Sequence, residues 1–107
     1  MLSLTTIRED LKDIRYYYMR KKMFEQAFES TGVNDIVMKV EKYNGVIRSA
    51  TPKIYDLYVS LYINNHTQES LSNAMGFTPE YIQQLNKKLL KFLQSKLQDE
   101  KEEIANV

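Results

Sequence analysis

The sequence predicts an all-α fold: one small helical domain of about five helices over residues 1–97. Apolar residues recur at steps of three and four in each long segment. Two threonine–proline pairs, Thr51-Pro52 and Thr78-Pro79, have the cap-then-proline form of a helix start. A chain of 107 residues with 43% hydrophobic content is enough to close one modest core.

The first predicted helix is long, residues 4–29. Leu4, Ile7, Leu11, Ile14 and Tyr18 make one stripe, and Tyr17, Phe24 and Phe28 widen it further along. At 1.5 Å per residue it would run about 36 Å, so part of it crosses the body or projects from it. The spacing also suits a coiled-coil seam, and a homodimer through this helix is one way to cover a projecting stripe. Tyr16, Tyr17 and Tyr18 stand among Arg15, Arg20, Lys21 and Lys22. Such mixtures can stack bases and follow phosphates. The plainer reading is tyrosines in the core and cations in solvent, because adjacent helical residues point in different directions. Glu9, Asp10 and Asp13 read as solvated acids favouring the positive end of the helix.

Gly32 is the expected terminator and Asn34 the next cap. Over residues 35–49 two patterns compete. Asn44-Gly45 between β-branched residues is a hairpin signal, whereas Ile36, Val40, Tyr43 and Ile47 step by four, three and four as a helix does. After Thr51-Pro52, Ile54, Leu57, Tyr58 and Leu61 form the next buried stripe, flanked by Tyr55 and Tyr62.

Residues 66–97 read as a helix-turn-helix. Thr67 caps its first helix, with Leu71, Ala74 and Met75 along one face, and Gly76 stops it. Thr78 caps the second, with Pro79 at its first position. Ile82, Leu85, Leu89 and Phe92 or Leu93 line its inner face. Past Leu97 the acidic stretch 98–107 is expected to fray into solvent.

The motif resembles the helix-turn-helix of region 4 of bacterial sigma factors, and that of phage late-gene regulators of the RinA and ArpU kind. The shared pattern runs from Thr67 to Met75, then Thr78, Glu80, Ile82, Gln84, Leu85, Lys87, Lys88, Leu89 and Leu93. It covers about a quarter of the chain, and it favours the helical reading of residues 35–49. Where the sigma pattern carries arginines at the start of the recognition helix, this chain has Pro79, Tyr81 and Gln83. Arginine reads guanine bidentately; glutamine pairs with adenine instead.

The resemblance implies a phage or mobile-element transcription regulator acting on late-gene expression, with promoter DNA, RNA polymerase or both as partners. Glu80, Gln83, Gln84, Lys87 and Lys88 would face the major groove or its phosphates, and Thr67, Gln68 and Thr78 the backbone near the helix starts. The alternative is a protein-binding inhibitor of the same build, similar to the Pti-type phage-interference proteins of staphylococcal pathogenicity islands. It would occupy a phage late transcription activator and bind little DNA, with Tyr81 exposed at the start of the recognition helix.

Composition narrows the rest. A net charge of +1 argues against a strongly basic DNA binder. It hides an asymmetry: residues 66–97 hold four lysines against two glutamates, and residues 98–107 four acids against one lysine. Zero cysteines exclude disulfides and thiolate metal sites, and a lone histidine, His66, has no motif partner. Three scattered glycines make no phosphate loop. The chain reads as no enzyme, with no catalytic residues, no metal, no cofactor and no small-molecule substrate. It lacks an apolar run long enough for a membrane span and a secretory start, so a cytoplasmic location is expected. Most of the five methionines are assigned to the core.

Overall fold

The computed structural model describes residues 2–21, 23 and 35–105. Among them there is no strand. The helices are α1 (Leu4–Met19), α2 (Asp35–Ile47), α3 (Pro52–Tyr58), α4 (Gln68–Met75) and α5 (Pro79–Ala105). The fold is all-α, as the spacing predicts.

Helix α1 begins on a cap that the sequence reading did not use. The Ser3 hydroxyl accepts from the Thr6 amide at 3.1 Å, satisfying one of the amides a helix start leaves unpaired. Ile7, Leu11, Ile14 and Tyr17 are buried. Tyr18, expected in that stripe, is half-buried beside Tyr17, the two rings edge-on with centroids 5.0 Å apart. Turning out lets its hydroxyl accept from Asn44 Nδ2 at 2.8 Å, a partner that a phenol needs when partly buried. The continuous helix closes at Met19, not at residue 29, and Arg20 leaves helical geometry at φ −125°, ψ 34°. Lys22, named among the cations beside the tyrosines, and Phe24, Phe28, Gly32 and Asn34, named as stripe, terminator or cap, lie outside the described residues.

Helix α2 runs unbroken through Asn44-Gly45, which resolves the competition in favour of the helix. A tight hairpin needs positive φ at those positions. Among the described residues only Asn65 and Gly76 have it. Val40, Tyr43 and Ile47 face the core.

Asp10 and Asp13 are not simply solvated. Lys39 Nζ reaches Asp10 Oδ1 at 3.1 Å and Asp13 Oδ2 at 2.7 Å, and the Tyr43 hydroxyl donates to Asp10 Oδ2 at 2.6 Å. The hydrogen bond to Asp13 is the main reason the Lys39 ammonium is held above its ordinary pKa. These polar ties fasten α2 onto α1 where local sequence gives no sign of them.

Thr51 sits in extended geometry before Pro52, but its side chain makes no capping hydrogen bond, unlike the matching Thr78. Helix α3 passes directly into a π-helical turn, Val59–Ile63, closed by the Asn64 amide on the Val59 carbonyl at 2.8 Å. Ile54, Leu57, Tyr58 and Leu61 are buried, as the stripe predicts.

Helix α5 is the axis of the molecule and packs against each of the other four helices. Its inner face is Ile82, Leu85, Leu89, Leu90, Leu93 and Leu97, with Phe92 only half-buried. The backbone stays helical to Ala105, past the expected fraying point at Leu97. The methionine assignment is overturned: Met19, Met23, Met38 and Met75 are all exposed, at 64, 50, 58 and 47%. In α4, Leu71 and Ser72 are buried, whereas Ala74 and Met75 face solvent. The helix stops at Gly76, and Phe77 folds back to cover that part of the core instead.

Two glycines give opposite expectations. Gly76 caps α4 at φ 71°, and a Cβ there would meet nothing within 4 Å. Gly76→Ala should therefore cost only the left-handed backbone penalty, about 1–2 kcal/mol. Gly45 lies inside α2, also with open space around a Cβ. Gly45→Ala should gain about 0.5–1 kcal/mol. Urea denaturation of both variants checks the sign of each.

Candidate nucleic-acid interface

The elbow of α4 and α5 is built by two caps and a glycine. Thr67 Oγ1 accepts from the Ser70 amide at 3.0 Å, and Thr78 Oγ1 from the Tyr81 amide at 3.2 Å. Between them Gly76 reverses the chain, and the buried Ser72 hydroxyl donates to the Phe77 carbonyl, locking the turn from inside.

Fixing the inner face of α5 fixes the outer one. Ile82, Leu85 and Leu89 are 0, 6 and 0% exposed. On the opposite face Glu80, Gln83, Gln84, Lys87 and Lys88 are all exposed, and Lys91 continues the line; Asn86 between them is half-buried. They form one continuous polar strip, acidic at the start, amide in the middle and cationic further along. Thr67 and Thr78 are exposed and Gln68 half-buried. Both threonine oxygens are occupied as caps, but a hydroxyl that accepts can still donate its own hydrogen.

Tyr81 is placed differently from the expectation. It is half-buried, its ring edge-on to Phe77 with centroids 4.9 Å apart. Its hydroxyl accepts from Lys53 Nζ at 2.8 Å. The same ammonium is 5.6 Å from the ring centroid, near the outer limit for a cation–π contact, so the hydrogen bond governs its position. Lys53 thus joins the start of α5 from α3. Nothing in the sequence links positions 53 and 81; the crossing of α3 over α5 does.

On the other flank, Arg15 Nη2 donates to the His66 carbonyl at 2.8 Å, tying α1 to the residue before the Thr67 cap. The Tyr62 hydroxyl donates to Asn86 Oδ1 at 2.8 Å, tying the π-helical turn to α5. The three consecutive tyrosines are split: Tyr17 is buried, Tyr18 half-buried and Tyr16 46% exposed.

Among the described residues no three His, Cys, Asp or Glu side chains gather as a metal site. No helix there is long and apolar enough to cross a membrane. Comparison with protein family models, curated proteins and solved structures finds no match to this chain.

Proposed function

We propose that the chain is a transcription regulator that docks α5 in the major groove of promoter DNA, with phage or mobile-element late genes as the target class that the motif's resemblance suggests. The observation carrying this reading is the exposed strip from Glu80 to Lys91 on a helix whose opposite face is sealed in the core. Gln83 and Gln84 are the base readers, since a carboxamide can pair bidentately with adenine. Glu80 can accept from the cytosine amino group. Lys87 and Lys88 bind phosphates, which position the helix without reading sequence. Thr67 and Gln68 donate to the backbone across the groove, where the first helix of the motif crosses it. RNA polymerase is the further partner this arrangement suits.

A second reading, an inhibitor that occupies a phage late-gene activator, draws on two features: no arginine stands on the exposed strip, and Met75 is 47% exposed beside the turn. Methionine-rich or lone methionine surfaces adapt readily to protein partners.

A salt series separates the two. Each phosphate contact contributes about 0.9 to the slope of log affinity against log salt. Lys87→Ala and Lys88→Ala should each lower the slope by about that amount while leaving the fold intact. Duplex DNA that shows no salt-sensitive binding in dilute buffer would remove the first reading and leave the second.

A further inference from the structure

Helix α1 carries three cations in a row along a cleft that α5 also lines. Arg8, Lys12 and Arg15, with Tyr62 and Asn86, line a cleft of about 210 Å³ between α1, the π-helical turn and α5. The spacing of four and three residues keeps them on one face. The row spans about 10 Å at 1.5 Å per residue. No carboxylate lines the cleft. Arg8 and Lys12 are exposed, and Arg15 is half-buried by its bond to the His66 carbonyl.

The cleft floor is polar and partly ordered. The Tyr62 hydroxyl is committed to Asn86 Oδ1, which leaves the Nδ2 group of this cleft-lining residue as a remaining donor. Burial raises the Tyr62 pKa, and the charges of Arg15 and Arg8 oppose that shift.

We propose that Arg8, Lys12 and Arg15, with the Asn86 amide, form a second phosphodiester-binding wall that carries the DNA footprint beyond the helix-turn-helix and along α1. The proposal rests on the DNA-binding reading above and adds a site outside the motif. A free phosphate or an acidic protein would satisfy the same cations. Duplex DNA is favoured because the row is continuous with the motif: Arg15 is bonded to the residue immediately before the Thr67 cap. A strand whose phosphates meet the start of α4 is directed along the row. Guanidinium forks match phosphate oxygens bidentately, which suits this position better than lysines alone.

The test compares three double variants with the full-length chain on a labelled duplex of about 20 base pairs, over a salt series. Arg8→Gln with Lys12→Gln should lower the slope of log affinity against log salt by about 1.8, two contacts' worth. Arg15 is left in place, since its bond to His66 also supports the fold. Lys42→Gln with Arg48→Gln, two exposed cations of α2 and the residue after it, makes the same change in net charge away from the cleft. It should leave the slope within about 0.5 of the parent. Lys87→Ala with Lys88→Ala reports on the motif itself.

A slope unchanged in Arg8→Gln/Lys12→Gln but lowered in Lys87→Ala/Lys88→Ala overturns the second wall alone. Equal losses in the Arg8/Lys12 and Lys42/Arg48 pairs also overturn it, since net charge would then explain both. A parent chain without salt-sensitive binding removes the DNA reading and the wall with it.

Discussion

Leu89→Ala is expected to cost about 2–5 kcal/mol, against a total stability of about 5–15 kcal/mol for a domain of this kind. Leu89 is 0% exposed and lies midway along α5, the helix against which the four other described α-helices pack. Removing its side chain loses the transfer free energy of the buried carbons and leaves a cavity. Helices held from several sides cannot all move to fill it, so the cost should fall in the upper part of the range. In urea the midpoint should drop while the slope m stays constant, which marks lost stability and not a changed unfolded state. The neighbour makes the contrast sharp. Lys88 is exposed, and Lys88→Ala should change stability by less than about 0.5 kcal/mol. Leu89 thus governs folding, while the residue before it is left to the proposed binding role. A Lys88→Ala protein as unstable as Leu89→Ala would mean that α5 is rotated about its axis from the orientation described, and the exposed strip would lose its meaning.

That alternation was readable in advance because it is local. Ile82, Leu85 and Leu89 repeat at helical spacing, and Thr67, Gly76, Thr78 and Pro79 each act through their own backbone or the next turn. The elbow could be drawn from residue types alone, and the helical steps in residues 35–47 rightly outweighed Asn44-Gly45. What could not be drawn depends on how helices cross. Asp10 and Asp13 meet Lys39 across 29 and 26 positions of sequence respectively. Lys53 meets Tyr81 across 28, and Arg15 meets His66 across 51. None has a periodic signature, because the angle between two helices is set by packing and not by either helix. The methionines failed for a related reason. Hydropathy placed them inside, but Met75 closes a helix only eight residues long, and Phe77 takes the covering position. For the binding strip, exposure followed from the inner stripe; its neighbours Lys53 and Arg15 needed the assembled fold.

The polar ties inside the fold predict that alkali should unfold this protein well before its helices would otherwise yield. Burial, followed by the bond to Asp10, pushes the Tyr43 hydroxyl far above its ordinary pKa of 10.0. Burial does the same for Tyr58 and raises Tyr62 as well. Lys39 is also raised, chiefly by Asp13. All four shifts have the same sign. A group whose pKa is higher in the folded state contributes its stability fully below the unfolded pKa and loses it as pH climbs toward the folded one. Stability should therefore be level through neutral pH and fall steadily above about pH 10, where the unfolded chain starts to release protons that the folded chain keeps. Helix content followed by circular dichroism, with tyrosinate absorbance read in parallel, checks it: the buried tyrosines should ionise only as the helix signal disappears. Tyr43→Phe sharpens the test. At neutral pH it should be less stable, because Asp10 loses a hydrogen bond to a charged acceptor, a class worth about 1.5–3 kcal/mol. Above about pH 10 its disadvantage should shrink, because one of the groups driving alkaline unfolding is gone. A Tyr43→Phe protein whose deficit stays constant or widens with pH would show that the Tyr43 hydroxyl is not held neutral against Asp10, and the polar fastening of α1 to α2 would have to rest on Lys39 and the Asn44–Tyr18 hydrogen bond.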